Sequence, residues 1–223
     1  MKTNTSVLVK RMCGIGMFSA LAYLTTFLCN MIPNVAGFLA IDVKDAVIAI
    51  ASFVYGPIAA PIIAAIVSFV EFITISTTGP WGLLMNFVSS ATFSLVASLI
   101  YKYKKTFIGA IMGFALSTVV TTTVMILMNP IIVPLYSGVS AEVVKSLIPP
   151  LLLPFNFAKT LLNSAIAVML YKPTVDALRA AGIVPKAKYK TEFNKNTVFT
   201  LIIGGVALAS SLVALIVLFN KFK

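Results

Sequence analysis

Long apolar segments follow one another along almost the whole chain, and they restrict its fold more than any other feature. Of its 223 residues, 60% are hydrophobic and 10% are charged, and the mean hydropathy is +1.04. A helix needs about 20 mainly apolar residues to cross a bilayer, and inside lipid its backbone polar groups must be satisfied within the helix itself. The sequence therefore predicts an all-α polytopic membrane protein, folded as one compact helical bundle.

Glycine, proline and polar residues divide this apolar sequence into helices. Gly56-Pro57 ends one segment, Thr78-Gly79-Pro80 interrupts another, and Asn129-Pro130 with Pro134 breaks a long one. We predict six core spans and an additional seventh C-terminal span at residues 8–30, 45–56, 58–76, 82–101, 107–129, 150–171 and 197–219. A loop is expected over 136–149. No internal repeat is visible, which disfavours the inverted-repeat architecture of many secondary transporters.

The placement of the basic residues predicts the topology. Under the positive-inside rule, loops rich in Lys and Arg stay in the cytoplasm. The residues assigned to that side are Lys2, Lys10, Arg11, Lys102, Lys104, Lys105, Lys172, Arg179, Lys186, Lys188, Lys190 and Lys195, against Lys44, Lys145, Lys221 and Lys223 outside. We therefore expect a multi-pass protein of the plasma membrane with its N-terminus in the cytoplasm. Its basic segments are explained by lipid headgroups, and no nucleic-acid partner is expected.

Three units of the chain follow from this topology: a six-helix membrane domain over 1–172, a basic cytoplasmic linker over 173–196, and the extra helix within 197–223. Lys10 and Arg11 before an apolar run imitate a signal peptide. That run is long and lacks a clean cleavage site, so we expect a retained first helix.

Several kinds of chemistry are excluded by composition. The chain has no His, which removes His-based acid–base catalysis, His metal ligands and Ser-His-Asp triads. Cys13 and Cys29 fall in one predicted helix, too far apart to form a disulfide or a metal site. We expect no enzyme, no metal and no cofactor.

Costly polar residues recur inside the predicted spans and indicate a ligand site. Asn156, Lys159 and Asn163 share one helical face at offsets of three and seven, and Glu71 and Asn86 lie in the third and fourth spans. A Lys in a bilayer costs roughly 3 kcal/mol. Apart from ligand binding, Lys159 could extend to the membrane surface, or pair with Glu71 as a purely structural contact.

The expected ligand follows from the groups around that face. Amides and one cation lie among apolar and aromatic walls, for which we take Phe38, Trp81, Phe155 and Phe157, and no nucleophile–base pair accompanies them. Such a site suits a neutral, flat molecule with a polar edge. Separately, Gly16 and Ala20 in the first span form a small-xxx-small pattern, which allows a partner helix to approach closely.

These motifs together resemble the substrate-binding S component of energy-coupling factor (ECF) vitamin transporters, most closely the riboflavin-specific kind. The resemblance covers about residues 8–172 and is carried by LAIDVKD (39–45), FVYGP (53–57), TGP (78–80), MNF (85–87), NPIIVPLY (129–136) and PFNFAK (154–159). It implies a vitamin cavity near the extracellular face, closed by the first loop. The flavin contacts that the resemblance implies are Asn129, Asn156 and Lys159, with backbone groups of Leu39, Ala40 and Ile41. Glu71 and Asn86 are further candidate contacts, taken from the polar residues of the spans and not from the resemblance.

The resemblance also implies partners. A transmembrane coupling subunit would dock on the small residues of the first helix, for which Gly16 and Ala20 are the candidates, and two ATP-binding subunits would supply the energy. The chain itself has no phosphate-binding loop of the GxxxxGK type. The seventh helix departs from the six-helix pattern of the family.

The leading hypothesis is thus a high-affinity riboflavin-binding subunit of an ATP-driven importer. One alternative is an S component for another vitamin, such as folate, thiamine or pantothenate. Another is a stand-alone secondary transporter in which Glu71 carries a proton, and a third is an intramembrane enzyme, for which the residues offer little chemistry.

Overall fold

The computed structural model describes residues 5–104, 107–182 and 195–222, and every regular element within them is a helix. The helices are α1 (Thr5–Cys29), α2 (Lys44–Tyr55), α3 (Ala59–Thr74), α4 (Gly79–Tyr103), α5 (Phe107–Ser137), α6 (Ala141–Ser146), a π-helical segment (Ile148–Leu152), α7 (Leu153–Ala180) and α8 (Lys195–Lys221). Each of the predicted spans corresponds to one helix, and the predicted all-α membrane bundle is confirmed.

Five of the described helices are long and apolar enough to cross a membrane. Their apolar parts are Leu8–Cys29, Gly79–Tyr103, Ile108–Ser137, Ile148–Leu178 and Ile202–Lys221, and the shorter α3 is apolar as well. The described chain is therefore a multi-pass helical membrane protein.

Two helices run past the ends that were predicted for them. α5 continues through Pro130 and Pro134 to Ser137, and α7 continues through Pro173 to Ala180. The predicted break at Asn129-Pro130 is wrong. A proline leaves one backbone carbonyl of the preceding turn without its hydrogen bond, and within a membrane bundle neighbouring groups can satisfy that carbonyl so that the helix continues. The segment expected as a loop, 136–149, holds α6 and the start of the π-helical segment. Most of the predicted linker lies outside the described residues, so the division into units stays a prediction.

The short helix α2 positions the site. It has 12 residues and is therefore about 18 Å long, against a hydrocarbon thickness of about 30 Å. It packs on α1, α3, α4 and α7, and it is therefore buried on most of its sides. Because α2 is too short to reach the membrane surface, the first loop (residues 30–43) turns into the bundle, where Val35 and Asp42 are buried.

The opposite end of the bundle is filled by aromatic rings. Phe53 stacks on Tyr101 with centroids 4.3 Å apart, and it also contacts Phe114 and Tyr171. The hydroxyl groups of Tyr101 and Tyr171 lie 2.6 Å apart in a hydrogen bond. These rings fill the bundle at the end where α4 finishes, opposite the first loop.

Candidate functional site

A cavity of about 160 Å³ lies between the first loop and helices α3, α4, α5 and α7. It is lined by every residue that was predicted to contact the substrate through a polar side chain or the backbone of the first loop: Leu39, Ala40, Ile41, Glu71, Asn86, Asn129, Asn156 and Lys159. These residues come from distant parts of the chain. They meet because α2 is too short to reach the membrane surface, so that the first loop turns into the bundle. Their role in binding a ligand stays a prediction.

Glu71 is held by an ion pair that the sequence did not indicate. Both of its carboxylate oxygens accept hydrogen bonds of 2.7 Å from Lys44 Nζ, and one also accepts from Asn86 Nδ2 at 3.0 Å. The side chains of Lys44 and Glu71 are each 2% exposed. The suggested pairing of Glu71 with Lys159 is therefore wrong. Lys44 was missed because it was assigned to an external loop, although its neighbours Asp42 and Asp45 in a DVKD sequence were a visible signal.

Lys159 is bound from the first loop. Its ammonium donates to Asp42 Oδ2 at 2.7 Å and to the carbonyl of Ala40 at 3.3 Å, and its side chain is 14% exposed. The group thus faces the cavity instead of extending to the membrane surface. Burial raises the pKa of the Asp42 carboxyl, but the charges of Lys159 and Lys44 outweigh it and hold that pKa below its ordinary value.

Asn163 anchors the loop to α7 from behind the cavity wall. Its Nδ2 donates to the carbonyl oxygens of Asp42, at 2.9 Å, and Lys159, at 3.0 Å, while its Oδ1 accepts from the backbone N–H of Ala46 at 2.9 Å. Ala46 lies in the first turn of α2, where backbone N–H groups have no partner within the helix. Asn163 is fully buried and does not line the cavity. It lies on the predicted polar face, and its hydrogen bonds hold the loop and the start of α2 in position against α7.

Asn129 and Asn156 present amides from α5 and α7. One N–H of Asn129 donates to the carbonyl of Met125 at 2.6 Å, and one N–H of Asn156 donates to that of Leu152 at 2.7 Å. These bonds within each helix orient the two side chains, which are 2% and 7% exposed. Each amide has a second N–H and a carbonyl oxygen to offer to a ligand.

The walls of the cavity are apolar and aromatic, though in part from other residues than expected. Phe38 and Phe155 line it, together with Met85, Met125 and Tyr136. Trp81 and Phe157 are 39% and 48% exposed and face away from it. Phe157 follows Phe155 by two residues, which corresponds to a rotation of about 200° around the helix, so it points outward when Phe155 faces the cavity.

The charges that line the cavity balance each other. Its cations, Lys44 and Lys159, are each paired with a carboxylate, Glu71 and Asp42 respectively. A neutral ligand would leave both pairs intact, whereas a charged ligand would bring a charge that has no counterion among these groups. Among the described residues, no group of His, Cys, Asp and Glu is arranged to hold a metal ion.

Gly16 and Ala20 lie on the exposed surface of α1 and do not line the cavity. A side chain at Gly16 would meet nothing within 4 Å, whereas one at the neighbouring Gly14 would collide with Tyr55. The small residues that were predicted to bind a partner thus lie on an exposed surface of α1.

Comparison with known proteins identifies a family and relatives of this chain. Over residues 10–171 the chain matches the family described as "ECF transporter, substrate-specific component". It is similar to the riboflavin transporter RibU of Staphylococcus aureus (strain TCH60), with 31% identity over 176 residues, 76% of this chain and 93% of that protein. It is also similar to the riboflavin transporter FmnP of Bacillus subtilis (strain 168), with 25% identity over 187 residues, 78% of this chain and 98% of that protein.

The fold matches a solved structure as well. The structure titled "Structure and mechanism of the S component of a bacterial ECF transporter" superimposes with a TM-score of 0.66 and 30% sequence identity. The match covers 77% of this chain and 99% of the other.

Proposed function

The chain belongs to the family of substrate-specific components of ECF transporters, and from this premise we propose that it is the riboflavin-binding subunit of an ATP-driven importer. The family and both relatives are transport components and not enzymes. The observation that carries the proposal is the convergence of Asn129, Asn156 and Lys159 with the first loop on one cavity, in a chain that is 31% identical to a riboflavin transporter.

The cavity offers what a flavin requires. Phe38 and Phe155 would pack on the apolar rings of the isoalloxazine, where burial of a flat surface provides most of the affinity. The amides of Asn129 and Asn156 would donate to and accept from its polar pyrimidine edge. Riboflavin is uncharged, so the two ion pairs of the cavity stay intact on binding.

Lys159 would contact the flavin without leaving its partners. An ammonium has three N–H donors, and Asp42 and Ala40 accept two hydrogen bonds from Lys159. The remaining donor would reach a flavin carbonyl. Asp42 keeps the ammonium charged and in position, and a charge-assisted hydrogen bond in a desolvated cavity is stronger than a neutral one.

The cavity would open to the outside of the cell. α1 runs from Lys10 and Arg11 to Thr26 at the cavity, and α4 runs from Gly82 at the cavity to Lys102 and Lys104. These basic residues therefore lie at the end of the bundle opposite the cavity. The positive-inside rule assigns that end to the cytoplasm, together with the N-terminus.

The remaining parts would be supplied by other subunits. A transmembrane coupling subunit would dock on the exposed surface of α1 around Gly16 and Ala20, and two ATP-binding subunits would drive transport. Residues 1–172 would form the binding domain in the bilayer, with 173–196 as a basic linker to the additional helix.

Titration of the protein purified in detergent with riboflavin tests the proposal. We expect stoichiometric quenching of riboflavin fluorescence that thiamine, folate and pantothenate do not reverse. Asn129→Ala and Asn156→Ala should weaken binding, while Asn220→Ala, an exposed Asn on α8, should not. If the folded protein does not quench riboflavin fluorescence but binds another of these vitamins, riboflavin is not the substrate and that vitamin is the candidate ligand of the same cavity.

A further inference from the structure

The C-terminal helix α8 is additional to the part of the chain that matches the family. The family match ends at residue 171, and the two riboflavin transporters are covered over 93% and 98% of their own lengths without accounting for all of this chain. α8 (Lys195–Lys221) therefore lies outside the residues that match the family.

One face of α8 is buried against the bundle. Its buried residues are Gly204, Ser211, Leu215 and Leu218, which follow each other at helical spacing. The other face is exposed and apolar, as expected for a helix in lipid; Val206, Val213, Ile216 and Val217 lie on it.

The direction of α8 brings its C-terminal part to the cavity. At Gly204 the helix passes so close to α7 that a side chain there would lie 2.7 Å from Met169 and 3.7 Å from the carbonyl of Ala165. Leu215 and Leu218, about three and four turns further on, are buried together with Phe155 and Leu162 in the first half of α7. α8 thus runs antiparallel to α7 and ends beside the first loop.

There it joins an apolar group that we name the loop cluster: Val35 and Leu39 of the first loop, Leu151, Leu152, Phe155 and Leu162 before and within α7, and Leu215 and Leu218 of α8. Leu39 and Phe155 also line the cavity. The cluster therefore connects α8 to the cavity wall through side chains in direct contact.

The part of the loop that rests on this cluster is a tight turn. The backbone N–H of Val35 donates to the carbonyl of Leu39 at 2.9 Å, and that of Leu39 donates to Val35 at 3.0 Å. Ala36 and Gly37 between them take left-handed conformations, with φ of 52° and 80°. The turn places Val35 and Leu39 in the loop cluster, and both are buried, at 0% and 8% exposure.

We propose that α8 is a brace for the first loop, in which Leu215 and Leu218 act as positioning residues that hold the loop over the cavity and slow the release of substrate. The substrate part of this proposal rests on the proposed riboflavin function. The brace itself rests on the loop cluster. It acts because the loop cannot move away from the cavity without withdrawing Val35 and Leu39 from the cluster to which the two leucines belong, which exposes apolar surface.

The test compares leucine-to-alanine variants on the two faces of α8 in the full chain. Leu215→Ala and Leu218→Ala remove side chains of the loop cluster, and Leu212→Ala, 41% exposed on the same helix, is the matched control. The dissociation rate of riboflavin should rise by about five- to tenfold in the two cluster variants, the lower range for coupling between sites, and stay unchanged in the control. Leu218→Met, which keeps the volume, should restore the slow rate.

A double-variant cycle identifies the route of the effect. Val35 belongs to the loop cluster but does not line the cavity. If α8 acts through the loop, Val35→Ala combined with Leu218→Ala should raise the dissociation rate by less than the product of the single effects. Independent, multiplying effects would mean that α8 acts on the cavity by another route and would overturn the brace.

Hydrogen exchange separates the brace from the identity of the substrate. Backbone amides of residues 30–43 should exchange faster in Leu215→Ala and Leu218→Ala than in Leu212→Ala, without any vitamin added. If the wild-type protein binds no riboflavin but the variants differ in exchange in this way, the proposed function fails and the brace stands. Equal exchange in the three folded variants would overturn the brace. Should an alanine variant not fold, Leu218→Val provides the milder change for the same measurements.

Discussion

Asp42 in the first loop and Lys159 on α7 form an ion pair, with Oδ2 and Nζ 2.7 Å apart, that fastens the loop to the helix carrying the predicted ligand contacts. The same carboxylate oxygen lies 3.9 Å from Lys44, which is bound by Glu71 on α3. Charges from the loop, α2, α3 and α7 thus form one buried group at the cavity. Removing one member leaves its partner buried with less compensation, and the two predictions on stability below depend on that.

Lys159→Ala should weaken riboflavin binding by about 1–3 kcal/mol, because it removes a charge-assisted hydrogen bond to a buried ligand. The dissociation constant from fluorescence titration measures this loss. Lys145→Ala, at an exposed position on α6, is the control and should bind as the wild type does. Wild-type affinity in a folded Lys159→Ala variant would remove Lys159 from the ligand site.

Breaking the Lys44–Glu71 pair should destabilise the protein more than removing it. Lys44→Met or Glu71→Gln alone should lower the free energy of unfolding by about 3–5 kcal/mol. Lys44→Met leaves the buried Glu71 without a cation, and Glu71→Gln leaves the buried Lys44 with only the longer contact to Asp42. The double variant should recover much of the loss. Unfolding of the purified proteins in detergent measures the three values, and additive losses in the double variant would mean that the two charges do not depend on each other.

Stability should fall in acid through Asp42. Its pKa is lower in the folded protein than in the unfolded chain, so its contribution is fully present above the ordinary pKa of about 4 and is lost as the pH falls through the lower folded value. Unfolding measured from pH 7 to pH 3 should show a shallower acid loss in Asp42→Asn. The exposed Glu142→Gln is the control, and its profile should match the wild type; a wild-type profile in Asp42→Asn would contradict the prediction.

Bulk on α1 should abolish uptake and spare binding. Gly16→Leu with Ala20→Leu fills the exposed small-residue surface on which the coupling subunit would dock, far from the cavity lining. Riboflavin uptake by cells and riboflavin binding by the purified variant are measured side by side. Gly205→Leu with Ala209→Leu adds the same bulk at the same spacing on α8 and should retain uptake. Uptake that persists in the α1 variant would locate the docking surface elsewhere.

Much of the site could be predicted because burying polar residues in lipid is costly. Asn129, Asn156, Lys159, Glu71 and Asn86 stand out in an apolar sequence, and the structure brings them to one cavity. Lys44 and Asp42 did not stand out in the same way, because a loop between spans normally lies in water. They are buried only because α2 is too short to cross the bilayer.

The amino-acid sequence by itself determined the class of fold, the order of the helices and the residue types at the cavity, since hydropathy and the cost of buried polar groups are properties of local segments. Only the tertiary structure decided that Glu71 pairs with Lys44 and Lys159 with Asp42, that Phe157 faces outward, and that α8 packs beside the first loop. These outcomes depend on which helix faces meet and at what depth, and that is set by packing between segments distant in the chain.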